Sequence, residues 1–139
     1  LHIGLSTTGA NQVEVIKKAL DIEVEGVSLF DVFQVTYNVF DQSLADISDQ
    51  FLTQHKRLVI KEALANGRVF FNEKYTHYAA TYKILNNLAE KYGVGADAIA
   101  LRFCLDSIPV YKVLSGATND QHLSDNLKTT QLELEETEI

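Results

Sequence analysis

Four times along this chain a short apolar run ends in polar or small residues and gives way to a longer amphipathic stretch. Apolar spacing therefore switches from a period of two to one of 3.6, which is the pattern of β-α units joined by crossover connections into a parallel sheet. The first run, "LHIGLS", carries Leu1, Ile3 and Leu5 and ends in Ser6, Thr7 and Thr8; a helix is expected over about Asn11 to Asp21, with Val13, Ile16 and Leu20 at helical spacing. In the second, "SLFDVFQVTYN", Phe33, Val35 and Tyr37 alternate with Gln34, Thr36 and Asn38, and "SLADISDQFLTQH" follows as a helix with Leu44, Ile47, Phe51 and Leu52 on its apolar side. The third, "RLVIKEALANGR", gives a strand from Leu58 to Ile60 that ends in Lys61 and Glu62. After a loop around "NEKYTHY", Tyr78, Tyr82, Leu85, Leu88 and Tyr92 form one stripe of a helix closed by Gly93, and a further helix runs from about Asp97 to Leu105. The fourth strand is "YKVLSG", with a helix starting near Asn119 or Asp120, either of which is a good N-cap.

Right-handed crossovers put the C-terminal ends of such strands on one edge of the sheet, where α/β proteins build their sites. Ser6, Gln34, Lys61 and Gly116 are therefore expected to face a common space. At 139 residues, 46% apolar and 22% charged, the chain is long enough for one domain with a core of its own, and its composition is that of a soluble globular protein. The net charge of −7, with Lys and Arg scattered, argues against a nucleic-acid partner. No apolar run approaches the roughly 20 residues that a membrane-spanning helix requires. A single cysteine, Cys104, excludes an internal disulfide and fits a reducing compartment, so a cytoplasmic location is expected. The chain starts at Leu1 and holds no Met, and "LELEETEI" reads as a helix starting, so a fragment open at both ends is expected.

The stretch "LSGATNDQHLSDN" carries the most chemistry. Gly116 permits a tight turn and close backbone approach, and the helix behind it points free N–H groups and the positive end of its dipole outward, which favours a phosphate. His122, Asp125 and Asn126 share a helix face at i, i+3 and i+4 and can contact a sugar, base or phosphate; the plainer alternative is a turn with a solvated polar face. Gln34, an amide in an apolar and aromatic strand, needs a hydrogen-bond partner, either a ligand amide or a group inside the fold. Lys61 at a strand end suits a Schiff-base nucleophile if desolvated, or a plain ion pair with Glu62. Ser6 and Thr7 can donate to a ligand or cap the turn before the first helix. His77 has no Asp or Cys at triad or ligand spacing and reads as a loop histidine, and Cys104 reads as a small buried apolar residue.

Taken in chain order, "IGLSTTG", "FDVFQVTYN", "VIKEALANGR", "LAEKYGVGADAIALRFCL" and "VLSGATNDQHLSDNL" resemble the aldo/keto reductase family over nearly the whole chain. The resemblance implies an eight-stranded (β/α) TIM barrel, of which this chain looks like the second half, strands five to eight. It implies that Ser6 and Thr7 bind the carboxamide of a nicotinamide ring together with Gln34, and that Lys61, Glu62, Ala63 and Leu64 pass along the nicotinamide and pyrophosphate. Gly116, Ala117 and Thr118 would meet the 2′-phosphoribose with His122, and Asp125 and Asn126 the adenine, the cofactor being NADP(H) ahead of NAD(H). Lys61 stands where the family often has an aromatic residue, and Gly116 and His122 stand where many NADP-binding members have Lys and Arg. The implied activity is hydride transfer between the nicotinamide and a small carbonyl or alcohol substrate. The family's Asp, Tyr, Lys and His tetrad comes from the first four strands, so it is expected outside these residues. Two other functions remain open: a reductase-like nucleotide-binding or regulatory protein without turnover, and a Lys61 Schiff-base lyase.

Overall fold

In the computed structural model, which describes residues 2–139, the alternation expected from the sequence is realised, with Leu1 lying outside the described residues. Strand β1 (Gly4–Ser6) leads into helix α1 (Gln12–Leu20), then a small hairpin of β2 (Glu23–Val24) and β3 (Val27–Ser28), then β4 (Val32–Thr36). A 3₁₀ turn over Ala45–Ile47 and helix α2 (Asp49–Thr53) precede β5 (Arg57–Lys61). Helices α3 (Ala79–Tyr92) and α4 (Ala96–Asp106), strand β6 (Lys112–Val113) and helix α5 (Asp120–Leu127) complete the order.

β1, β4, β5 and β6 form one sheet in that order, every pair parallel. The register sets Ser6 beside Gln34, Gln34 beside Val59 and Val59 beside Lys112, so the pleat sends this row to one face. The next row, Leu5, Phe33 and Leu58, points to the other face, where the helices lie. There Phe33, Val35, Ile60 and Ile16 are fully buried, Phe33 packs edge-on against Phe51 at 5.4 Å between ring centres, and Tyr37 stacks on Phe103 at 5.9 Å. Each such side chain contributes about 1.5–3 kcal/mol through burial, so the helix-side face holds the fold together. The opposite face is less covered, with Ser6 and Lys112 exposed and Gln34 and Val59 half-buried. An α/β fold with a parallel sheet follows directly from the fourfold alternation.

Three expectations need correction. The stretch from Leu44 to Leu52 is not one helix: Ser48 Oγ donates to the Ala45 carbonyl at 2.8 Å, closing a 3₁₀ turn before α2 restarts, and Leu52 is left 58% exposed while Leu44, Ile47 and Phe51 are buried. The fourth strand shortens to Lys112–Val113, with the Tyr111 and Leu114 N–H groups on either side still donating to the Leu58 and Ile60 carbonyls of β5 at 2.8 and 2.9 Å, and the chain leaves the sheet after Leu114. The tail "LELEETEI" does not project as a new helix; Leu132 and Leu134 bury against the core and a single 3₁₀ turn spans Glu136–Glu138. The hairpin between α1 and β4 has no counterpart in the expectations: its turn is Glu25 and Gly26, both left-handed at φ 53° and 77°. That geometry matches strand twist, but Glu-Gly lacks the Asn or Asp that usually signals it.

Candidate functional site

The strand ends assemble first. Thr7 N–H donates to the Gln34 carbonyl at 2.9 Å, continuing the β1–β4 ladder past Ser6. Ser6 is exposed on the less covered face, and Gln34, half-buried beside it, makes no side-chain hydrogen bond among the described residues. Its amide is thus available on that face instead of being satisfied inside the core. Thr7 turns the other way: it is 7% exposed and its hydroxyl has no partner among the described residues. Lys61 lies 3.9 Å from the Glu62 carboxylate, both side chains mostly covered. The ion-pair alternative thus has a geometric basis.

Beyond the ends of β5 and β6 a groove of about 360 Å³ opens between two loops. Glu62, Ala63, Leu64, Asn66, Gly67 and Phe70 form one wall, and Leu114, Ser115, Gly116, Thr118 and His122 the other. A hollow of about 50 Å³ continues it, bounded by Leu64, Phe70, Asp97, Gly116, Ala117, His122 and Asn126. Gly116 is left-handed at φ 64°, which brings the backbone round at the mouth of the groove. Asn119 is extended and its Oδ1 accepts the His122 N–H at 2.8 Å, so it caps α5 and aims the helix start at the same place. His122 Nδ1 sits 3.2 Å from the Thr118 hydroxyl.

Asn126 fixes the floor. It is 5% exposed, its Nδ2 donates to the Ser115 carbonyl at 3.1 Å, and its Oδ1 is buried without a hydrogen-bond partner among the described residues. An unpaired buried acceptor costs about 1–3 kcal/mol, so a ligand N–H reaching this atom would recover that cost. Asp125 faces elsewhere: Gln121 and Lys128 hold its carboxylate at 2.9 and 2.7 Å, and the Gln121 hydrogen bond, followed by that of Lys128, keeps its pKa below the ordinary range.

Of the expected site residues, the groove and its hollow collect Glu62, Ala63, Leu64, Gly116, Ala117, Thr118, His122 and Asn126. Ser6, Gln34 and Lys61 stand at the neighbouring strand ends, Thr7 is turned into the fold and Asp125 to its own helix surface. Asn66, Gly67, Phe70, Asp97, Leu114 and Ser115 also line the space and were not anticipated. "NG" at 66–67 was the legible signal for a wall turn; a lone Phe carries none. Such a site offers backbone amides at a helix start, one imidazole and one buried amide oxygen that can accept an N–H or O–H donor. Among the described residues no His, Cys, Asp and Glu cluster fits a metal ion. No described helix is long and apolar enough to cross a membrane.

Comparison with curated proteins gives no match. Solved structures do match: a thermostable aldo-keto reductase, Tm1743, solved with the inhibitor epalrestat, superposes with a TM-score of 0.71 at 25% identity over 99% of this chain and 45% of its own. The glycerol dehydrogenase AKR11B4 of Gluconobacter oxydans gives 0.69 at 20% identity over 99% of this chain and 46% of its own. The apo form of Gox0644 gives 0.64 at 19% identity, covering 99% and 44%. The chain therefore spans less than half the length of these structures. The family model described as the aldo/keto reductase family matches residues 1–139, and with a parallel α/β sheet that superposes on reductase barrels, the chain belongs to the aldo/keto reductase family.

Proposed function

We propose that this chain is the C-terminal half of an aldo/keto reductase barrel and binds a nicotinamide adenine dinucleotide across the C-terminal edge of its sheet. The observation that carries this is the buried, unpaired Asn126 Oδ1 at the end of a groove that begins beside Glu62 and Gly116. In this reading the adenine amino group donates to Asn126, the phosphates lie against the Gly116 turn and the α5 start, and Gln34 and Ser6 offer hydrogen bonds to the carboxamide. When bound, the cofactor supplies the hydride that interconverts a carbonyl and an alcohol. The chain's own residues bind and orient it: Glu62 to Leu64 wall the groove, and Asn119 holds the α5 start in place.

NADP(H) is the cofactor implied by family resemblance. NAD(H) is a second reading, favoured by one feature: among the lining residues His122 is the sole side chain able to carry positive charge, and Glu62 and Asp97 bring carboxylates. The proton-transferring groups of the reaction would come from outside these residues. Calorimetric titration of the chain with NADPH, NADH and ADP-ribose tests the proposal. Saturable binding of any of the three that is weakened by Asn126→Leu supports it; no binding at millimolar concentration by a folded chain rejects it.

A further inference from the structure

We infer that Asn38 is a positioning residue for this groove, holding its Glu62–Gly67 wall in shape without touching the ligand; the inference rests on the nucleotide site proposed above. Asn38 follows β4 and is fully buried. Its Oδ1 accepts two backbone N–H groups, those of Phe40 and Asp41, each at 3.0 Å. Those bonds decide which way the amide points, so Nδ2 is left to donate to the Glu62 carbonyl, at 3.0 Å. Every polar atom of this side chain is thus engaged, and one of its bonds crosses to the groove wall.

The wall needs holding. Glu62, Ala65 and Asn66 are left-handed at φ 57°, 50° and 55°, followed by Gly67 at 83°. Side-chain-bearing residues rarely adopt this conformation, and a run of them persists only where surrounding contacts over-determine it. The Glu62 carbonyl is where those contacts meet: it accepts the Asn38 amide and also the Ala65 N–H at 2.7 Å, closing the turn that leads into Ala65, and the next turn, which carries Ala65 and Asn66, is closed by the Gly67 N–H on the Leu64 carbonyl at 2.9 Å.

Asn38 is in turn anchored. Its backbone exchanges two hydrogen bonds with Asp41, at 3.0 and 3.1 Å. The Asp41 carboxylate accepts Ser43 Oγ at 2.7 Å, and Ser43 Oγ accepts Gln12 Nε2 at 3.2 Å. Gln12, buried on α1, also brackets Thr36 at the end of β4, donating to its carbonyl at 2.9 Å and accepting its N–H at 3.1 Å. A continuous chain of hydrogen bonds therefore runs from the first helix, past the end of β4, to the backbone of the groove wall. Isolated polar replacements along it should be felt at Glu62.

The test uses Asn38→Asp, which keeps the acceptor for Phe40 and Asp41 and removes the donor to Glu62, with the shorter Asn38→Ser as the second variant should the first not fold. Each is combined with Glu62→Gly, because glycine takes a positive φ without strain and so relieves the one strained position whose carbonyl Asn38 holds. Hydrogen exchange at the Ala65 amide is read alongside nucleotide affinity. The expected result is that Asn38→Asp speeds exchange at Ala65 about tenfold and weakens nucleotide binding about fivefold. In the Glu62→Gly background the same substitution should change affinity less than twofold. Unchanged exchange at Ala65, or an affinity loss of equal size in both backgrounds, overturns the role given to Asn38. Failure of the unsubstituted chain to bind any nucleotide, with Ala65 exchange still dependent on Asn38, rejects the nucleotide reading instead.

Discussion

Asn126 and Asp125 are neighbours in sequence and differ in what surrounds them. Asn126 sits 5% exposed with one half of its amide unpaired, whereas Asp125 spends both carboxylate oxygens on Gln121 and Lys128. Spacing on a helix shows that both can share a face with His122; it does not show which one the helix rolls inward, because that depends on β6 and α4. Asn126→Leu removes the unpaired oxygen as well as the bond to Ser115, so stability should change by no more than about 1 kcal/mol while nucleotide affinity falls about fivefold. Thermal denaturation and titration on one preparation read both numbers. Asp125→Asn, by contrast, should leave affinity within twofold. His122→Arg is expected to improve NADPH binding about tenfold relative to NADH, since a guanidinium forms paired charge-assisted bonds to a phosphate. An unchanged NADPH-to-NADH ratio would place the 2′-phosphate away from His122.

At the scale of elements, the tail after α5 is a strap held by ion pairs. Lys91 Nζ lies 2.7 Å from both Glu135 and Glu138, and the Tyr92 hydroxyl donates to Glu138 at 2.6 Å. The Lys91 bond, with help from Tyr92, pulls the Glu138 carboxyl down to about 2. A carboxyl depressed in the folded state stabilises it above the ordinary carboxylate pKa and loses that contribution as pH falls toward the depressed value. The strap should therefore loosen between about pH 4.5 and 2, the interval between the two values. Amide exchange of Leu134 to Glu138 against pH would show the loosening, and Lys91→Met should shrink that pH dependence, the Tyr92 hydroxyl retaining the remainder. The ease of reading elements from sequence follows the same local physics. Helix α3 was legible because its stripe is long and Gly93, left-handed at φ 65°, ends it. The break at Ser48 was not, since a serine hydroxyl competing for the Ala45 carbonyl leaves no mark on the apolar period.

For the whole molecule the decisive fact is a parallel sheet with two edges open and one face less covered than the other. Among the described residues β1 pairs with β4 alone and β6 with β5 alone, and in the row Ser6, Gln34, Val59 and Lys112 no residue is fully buried, Ser6 and Lys112 being exposed. The parallel sheet was foreseeable from four apolar runs with helices between them, and the helix-side core from Phe33, Val35 and Ile60. The groove wall was not, because its shape depends on a left-handed run fixed by Asn38 from 24 residues away, a contact that no periodicity encodes. The open edges have a direct consequence: unpaired N–H and C=O groups on an edge strand recruit another chain. Ile3, 39% exposed before β1, and Leu114, 44% exposed after β6, add apolar surface at those two edges. We predict concentration-dependent association of the 139-residue chain, seen in sedimentation velocity as a rising average mass, with Ile3→Lys and Leu114→Lys together reducing it by placing charge at both edges. A chain that stays monomeric at every concentration, with and without the two lysines, would mean that the edges are protected by their own brevity, β1 and β6 being three and two residues long.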